Sequence, residues 1–237
     1  MRKVRVGVGL GSWPFPDRSI DWLWRFVDRA EESGIDSIWI SDRLVGAGPT
    51  LAPLTALAAI AGRTQHMKLG TSILVLSVRN PVLLAKELAT LDFLSGGRLL
   101  LAVGPGQRDS GTFEACGVPV VERGRRTDEV MVLLRKLWSE ERVTFRGRFF
   151  HLSDLDLQPR PVRKPYPPMW IGGSSEPALR RAGRLGDGWL ASRVTPEEYG
   201  PALERIRAAA REAGRAVPED HYGLVVSYCV TKTAEEA

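Results

Sequence analysis

Residues Asn80 to Gly106 read NPVLLAKELATLDFLSGGRLLLAVGPG, and this stretch decides the fold class. Asn80 can accept hydrogen bonds from the free N–H groups of a helix start, and Pro81 suits the first helical position. Leucines then recur at intervals of three or four residues, which places them on one helix face. They are Leu84, Leu88 and Leu91. The pattern predicts an amphipathic helix that ends at Ser95-Gly96-Gly97.

The second half of this stretch predicts a buried strand. Leu99 to Val103 is an unbroken apolar run, which is typical of strands covered on both faces in a parallel sheet. It ends in the turn Gly104-Pro105-Gly106. A helix that returns into a buried parallel strand is half of a repeating α/β unit, and such folds place their chemistry at the carboxyl ends of the strands.

The same unit recurs on both sides of this stretch. The predicted strands are Val4–Leu10, Ser37–Ile40, Lys68–Leu76, Leu99–Val103, Met169–Ile171, Gly188–Ala191 and Tyr222–Val230, each followed by a predicted helix or helix start. Seven such units predict a TIM (β/α)8 barrel that lacks its last strand and helix in this chain, with a doubly wound sheet as the alternative. We expect one barrel domain over residues 1–237.

One segment departs from this rhythm. Residues 143–157 read VTFRGRFFHLSDLDL, in which two aromatic and β-branched segments flank Arg146-Gly147. This is a hairpin signal. With the proline-rich connector that follows, it predicts an excursion from the barrel over about residues 143–166, placed near the barrel mouth.

Composition limits the classes of function. The chain has 237 residues, is 43% apolar and carries a net charge of +5, and no apolar run approaches the roughly 18 residues of a membrane helix. We expect a cytoplasmic protein that binds neither membrane nor nucleic acid, since its arginines are scattered among acidic residues. Cys116 and Cys229 lack the spacing of a metal site or a disulfide framework.

Gly172, Gly173, Ser174 and Ser175 form the best anion site that the residues themselves predict. Glycines allow the backbone to approach a ligand closely, the two hydroxyls add donors, and a helix predicted from Pro177 presents its free N–H groups. A phosphate would fit this turn. The competing interpretation is an ordinary strand-to-helix turn capped by serine.

The three histidines exclude several other chemistries. His66 and His221 precede strands and therefore belong at the end of a barrel opposite to its active site, while His151 lies in the excursion. They assemble neither a Ser-His-Asp set nor a metal cluster. Hydrolase and metalloenzyme functions are therefore not expected.

Several segments together resemble one family, the luciferase-like flavin and deazaflavin oxidoreductases, which share a TIM barrel. The segments are Ser41-Asp42, LGTSILVLSVRNPVLLAKELATLDFLSGGRLLLAVGPG from Leu69, FEACGVP from Phe113, ERGRRTDE from Glu122, PPMWIGGSS from Pro167 and ALRRAGRLGDGW from Ala178. The similarity covers most of the chain. It is greatest to the subgroup that uses the deazaflavin F420, although relatives that use FMN share nearly all of these segments.

The resemblance implies a set of cofactor-binding residues. Relatives carry a non-prolyl cis peptide in the third strand that lies against the cofactor ring; within Thr71, Ser72 and Ile73 the matching bond is Ser72-Ile73. Gly104, Pro105 and Gly106 would leave room for the flat ring. Gly172, Gly173, Ser174 and Ser175, together with Arg123, would bind the phosphate end, although an exposed arginine at a helix start is the competing interpretation for Arg123.

Asp42-Arg43 is the main departure from the family pattern. In many relatives the residue after this acid is a histidine that transfers a proton near the reactive ring, whereas arginine stays protonated at neutral pH and cannot accept one. Asp42 and Arg43 are the candidate catalytic residues; Arg43 would bind an anionic substrate or stabilise a reduced cofactor, or else pair with a nearby acid. Trp13, after the first strand, is the candidate substrate residue, with a core position as its alternative.

The resemblance implies an oxidoreductase that uses F420 to exchange hydride with a small organic substrate. One alternative is a monooxygenase in which FMNH2 reacts with O2. Another, of a different class, is a non-catalytic flavin-binding relative or a subunit whose partner carries the chemistry. Many relatives are dimers, so a homodimer is also expected.

Overall fold

The computed structural model of the chain describes residues 4–10, 19–46, 48–108 and 111–227. The chain forms two compact units, Met1–Trp170 and Ile171–Ala237. Within the described part, no helix combines the length and apolar character that crossing a membrane requires.

The first unit is built on four parallel strands that pair in chain order. They are β1 (Gly7–Leu10), β2 (Ser37–Ile40), β3 (Lys68–Val75) and β4 (Leu99–Gly104). The connecting helices are α1 (Asp21–Glu32), α2 (Pro53–Arg63) and α3 (Pro81–Leu94). Because the four strands are parallel, all their carboxyl ends lie at one edge of the sheet.

The helix and strand of the Asn80–Gly106 stretch form as predicted. The Asn80 side chain accepts hydrogen bonds from the N–H groups of Val82 and Leu83, at 2.9 and 3.2 Å. Leu84 and Leu88 are almost fully buried. The capping residue and the apolar residues therefore specify the same helix. For this reason the local sequence was enough to predict its position.

The segment after β4 is more ordered than its composition indicates. The glycine, proline and mixed polar residues of 107–122 predict a loop, but the segment includes the short helix α4 (Thr112–Ala115) and a 3-10 turn, Val120–Glu122. The sequence predicts that the next helix begins at Thr127 or Asp128, whereas α5 (Arg123–Ser139) begins one turn earlier. The hydroxyl of Thr127 donates to the carbonyl of Arg123 at 2.8 Å, so Thr127 lies inside the helix rather than capping it.

An antiparallel pair follows α5. Strands β5 (Val143–Arg146) and β6 (His151–Leu155) pair on either side of Gly147, in agreement with the hairpin signal at Arg146-Gly147. A proline-rich connector then leads to β7 (Met169–Gly172), with which the chain passes into the second unit.

In the second unit, β7, β8 (Gly188–Ser192) and β9 (Tyr222–Val225) are neighbours in that order. They alternate with α6 (Glu176–Leu185) and α7 (Pro196–Glu212), which pack against each other. A capping box between Thr195 and Glu198 starts α7, as its sequence favours. β9 ends at Val225, so the predicted last strand, Tyr222–Val230, is too long at Val226 and Ser227, while its residues 228–230 lie outside the described residues. The helix start predicted after this strand, at Thr231 to Ala237, also lies outside them.

Candidate active site

Asp42 lies just after β2, and its carboxylate is hydrogen-bonded to two partners. Its buried carboxylate accepts the N–H of Val75 at 3.0 Å and contacts Nη2 of Arg79 at 2.9 and 3.0 Å. Val75 ends β3, and Arg79 follows it. Asp42 therefore joins the carboxyl ends of two neighbouring strands with a charged hydrogen-bond pair.

Arg79 was not among the residues singled out from the sequence. The tripeptide Val78-Arg79-Asn80 follows a predicted strand, so its position at a strand end was the available signal. Its Nε atom is buried and has no hydrogen-bond partner. A buried N–H without a partner is costly, so this atom suits an acceptor from a bound molecule.

The strand β3 carries an irregularity where the family resemblance implies one. The Ser72-Ile73 peptide bond is cis, and the pairing with β4 shifts register between Ser72 and Leu74. Ser72 and Ile73 are half-buried, whereas Thr71 is fully buried. The Thr71 hydroxyl donates to the carbonyl of Ala102 at 2.8 Å, so this side chain ties β3 to β4.

Gly104, Pro105 and Gly106 leave β4 beside the end of β3. Val75 is paired with Gly104, and the N–H of Leu76 donates to the carbonyl of Gly104 at 3.1 Å. Gly106 has φ +81°, and a Cβ added there would lie 2.9 Å from a methyl carbon of Val75. Both the backbone conformation and the close approach therefore require glycine at Gly106.

Arg123 is the first residue of α5, and part of its guanidinium is hydrogen-bonded to the preceding turn. Its Nη1 donates to the carbonyl of Val120 at 3.1 Å, while its Nε is buried and has no partner. The structure thus describes a half-buried guanidinium with a free N–H, rather than the fully exposed arginine of the competing interpretation.

Arg43 is exposed, and its carbonyl accepts the hydroxyl of Thr50 at 3.1 Å. It stands at the end of β2 beside Asp42, as the sequence predicts. Trp13, the candidate substrate residue, lies outside the described residues.

The anion turn belongs to the second unit. Ser174 and Ser175 are exposed at the start of α6, and Ser175 is the N-cap residue although its side chain makes no capping hydrogen bond. Glu176 brings a carboxylate into the first turn, where Arg205 contacts it at 3.5 Å. The two hydroxyls and the start of the helix are therefore accessible to an anion.

The indole of Trp189 is hydrogen-bonded to the backbone of this turn. Its Nε1 donates to the carbonyl of Gly173 at 2.8 Å, and its ring stacks on Tyr199 with centroids 5.3 Å apart. Trp189 is fully buried. Burial raises the pKa of the Tyr199 hydroxyl, which stays protonated at neutral pH.

The histidines lie where the sequence placed them. His66 lies two residues before β3, and its backbone N–H donates to the carboxylate of Glu31. His221 directly precedes β9, and its Nδ1 lies 2.6 Å from the carbonyl of Asp187. Across residues 4–10, 19–46, 48–108 and 111–227, no cluster of His, Cys, Asp and Glu could hold a metal ion.

The first unit thus gathers most of the predicted residues at one edge of its sheet, and the comparison with known proteins explains that arrangement. The profile described as luciferase-like monooxygenase matches residues 4–237. The chain belongs to this family.

Two curated relatives of this luciferase-like chain illustrate the range of the family. An F420-dependent glucose-6-phosphate dehydrogenase of Kineococcus radiotolerans is 35% identical over 202 residues, which are 80% of this chain and 59% of the relative. An FMNH2-dependent dimethylsulfone monooxygenase of Pseudomonas putida is 32% identical over 224 residues, which are 92% of this chain and 60% of the relative. The chain spans less than two thirds of the length of both.

Similar solved structures agree on the fold. The monooxygenase RslO1 from Streptomyces bottropensis matches with a TM-score of 0.83 and 26% identity, over 93% of this chain and 70% of that one. An F420-dependent secondary alcohol dehydrogenase, in complex with an F420-acetone adduct, matches with a TM-score of 0.80 and 26% identity, over 94% of this chain and 68% of that one. The predicted fold class, a TIM barrel represented here without its last strand and helix, is confirmed; the doubly wound alternative is wrong.

Proposed function

We propose that this chain belongs to an oxidoreductase that uses F420 to exchange hydride with a small organic substrate. The observation that carries the proposal is the 35% identity to an F420-dependent dehydrogenase over 80% of the chain. A net charge of +5 also suits the acidic tail of F420. We further propose that the chain is one barrel domain with the hairpin as an excursion, and that it acts as a homodimer.

The residues at the strand ends fit a ring cofactor. The turn Gly104-Pro105-Gly106 leaves little side-chain volume beside the bulged end of β3 at Ser72 and Ile73. Arg79 and Arg123 each keep a buried Nε without a partner, which suits oxygen acceptors of a bound molecule. We assign Ser72, Ile73 and the glycine turn to the ring, with Thr71 fixing the strand behind them.

In the second unit, we assign the phosphate end of the cofactor to Gly172, Gly173, Ser174 and Ser175. Support comes from the exposed hydroxyls and the start of α6. Arg123 is the proposed phosphate residue of the first unit.

We propose different roles for Asp42 and Arg43. Since the Asp42 carboxylate already accepts from Val75 and Arg79, we propose that it holds the Arg79 guanidinium toward the reacting groups instead of accepting a proton. Arg43 would bind an anionic group of the substrate, and Trp13 stays the proposed substrate residue. When bound, the deazaflavin ring supplies the redox chemistry, while these residues bind and orient.

A monooxygenase that uses FMNH2 and O2 is the second candidate, because the Pseudomonas putida relative is 32% identical over 92% of the chain. Titration of the purified protein with F420 and with FMN, each oxidised and reduced, tests both. We expect micromolar binding of F420 and no oxygen uptake. Tighter binding of FMNH2 with oxygen uptake would favour the monooxygenase, and micromolar binding of neither would overturn the cofactor assignment on which both candidates rest.

A further inference from the structure

The tip of the hairpin, Gly147–Phe150, is fastened to α5 by a carboxylate. Glu129 accepts the backbone N–H groups of Arg148, Phe149 and Phe150 at 3.0, 3.0 and 2.8 Å. A Cβ added to Gly147 would clash with the same carboxylate. The tip therefore sits against α5 in one position.

Arg126, one helical turn before Glu129, contacts the same tip. Its guanidinium carbon lies 5.1 Å from the ring centroids of both Phe149 and Phe150. Residues three apart share a helix face, so the two charged side chains act on the tip together. Stacking on two aromatic faces restricts where the guanidinium can lie.

From this position Arg126 reaches the end of β3. Its Nε donates to the carbonyl of Ser77 at 3.0 Å. The hydroxyl of Ser77, a fully buried residue, donates to the carbonyl of Pro105 at 3.0 Å. A continuous chain of contacts thus runs from the hairpin tip to the turn after β4.

The last contact fixes the direction of a backbone donor. In a trans peptide the C=O and N–H groups point in opposite directions. Because the Pro105 carbonyl points at Ser77, the N–H of Gly106 points away from Ser77. Arg126 and Ser77 therefore hold the orientation of the glycine turn, although neither belongs to it.

We propose that Arg126 is a positioning residue: it sets the loops after β3 and β4 for the cofactor ring and takes its own position from the hairpin tip. This inference rests on the proposed function for the ring, whereas the mechanical link from the tip to the turn can be tested without any cofactor.

The first experiment is amide hydrogen exchange on the cofactor-free protein, followed on peptides that cover residues 76–79 and 103–108. We expect Arg126→Gln, and the double variant Phe149→Leu/Phe150→Leu, to exchange about fivefold faster in both segments, since local opening becomes easier. The control Arg148→Gln removes a guanidinium that lies over Phe149 but keeps the N–H bound by Glu129. We expect it to leave exchange in both segments unchanged.

A second variant covers the case that Arg126→Gln does not fold. Ser77→Ala removes the bond to Pro105 and keeps the carbonyl that Arg126 contacts, so faster exchange is expected at residues 103–108 with no change at the hairpin tip. If exchange is unchanged in Ser77→Ala and in whichever Arg126 or phenylalanine variants fold, the link is overturned.

The second experiment measures the dissociation constant and absorbance spectrum of bound F420 and FMN. We expect Arg126→Gln to weaken binding about tenfold and to shift the spectrum of the bound ring, with Arg148→Gln unchanged. Faster exchange with an unaltered affinity and spectrum would overturn the positioning role. A wild-type protein that binds neither cofactor would overturn the proposed function and the ring assignment, while the exchange result would still decide the link.

Discussion

Asp42 and Arg79 form an ion pair between the ends of β2 and β3, in which the carboxylate side chain is 1% exposed and the guanidinium side chain 22% exposed. The backbone N–H of Val75 also donates to the Asp42 carboxylate, which fixes the orientation of the carboxylate in the pair. The charge on Asp42 therefore stabilises the edge of the sheet on which the proposed ring site is built.

Replacing Asp42 by asparagine should destabilise the protein by about 2 kcal/mol, because Arg79 would keep a poorly solvated charge without its counter-ion. The measurement is urea unfolding at neutral pH. Asp28→Asn is the matched control: Asp28 pairs with Arg63, and both side chains are well exposed. It should change stability little. Equal losses in the two variants would contradict the special position of Asp42.

Replacing Gly106 by alanine should cost about 2 to 4 kcal/mol, since the left-handed backbone and the new Cβ near Val75 and Phe113 are both unfavourable. Urea unfolding measures the effect on stability, and cofactor titration measures the effect of the altered turn on cofactor affinity. The control is Gly62→Ala in α2, where a Cβ meets nothing within 4 Å. That change should stabilise by up to about 1 kcal/mol. A neutral Gly106→Ala would mean that the turn relaxes readily.

Asp92 should make stability depend on pH. Its side chain is fully buried on α3, and burial raises its pKa although the N–H of Arg163 donates to it at 3.0 Å. The folded pKa therefore lies above the unfolded one, so this contribution to stability is present at low pH and is lost as pH rises through the folded pKa.

Asp92→Asn imitates the protonated carboxyl, so the variant should gain stability relative to wild type as pH rises from about 3 to 7. Urea unfolding at several pH values gives the difference. Asp28 provides a control of opposite sign: Arg63 lowers its pKa, so Asp28→Asn should lose a little stability relative to wild type over the same range, and the loss should be small because the pair is exposed. Parallel curves for wild type and Asp92→Asn would contradict the prediction.

Ser174→Asp separates ligand binding from helix stability. A new negative charge at the start of α6 should stabilise the helix by about 0.3 to 1 kcal/mol, yet repel a phosphate and weaken cofactor binding about tenfold or more. Thermal unfolding and cofactor titration report the two effects. Ser174→Asn, of similar size and without charge, should leave the affinity nearly unchanged. If both variants bind as wild type does, the phosphate end lies elsewhere.

Local sequence predicted the parts of this molecule that local forces determine. The cap at Asn80 and the apolar run from Leu99 belong to single elements, so their residues specify them without reference to distant partners. The start of α5 was misplaced because a threonine that looks like a cap bonds to its own helix. Irregularity at Ser72-Ile73 was predicted through the family resemblance, since its neighbours form an ordinary β-strand pattern.

The contacts around the candidate site were beyond local reasoning. Asp42 and Arg79 are 37 residues apart, and Arg126 and Ser77 are 49 apart. The second pair joins a side chain to a backbone carbonyl, which every residue possesses, so no sequence pattern marks the acceptor. Such contacts follow only from the three-dimensional arrangement of the strand ends.

The hairpin and its connector are attached largely through their main chain. Glu129 receives three N–H groups of the tip, and Asp92 receives one from the connector. Every residue except proline carries a main-chain N–H, so most exposed side chains of the hairpin can be exchanged for others than proline while its attachment is kept, apart from Gly147 and the two phenylalanines that meet Arg126. Another peptide sequence of the same length can therefore be inserted in place of most of the hairpin. The number of residues must be kept, whereas most of their identities need not be.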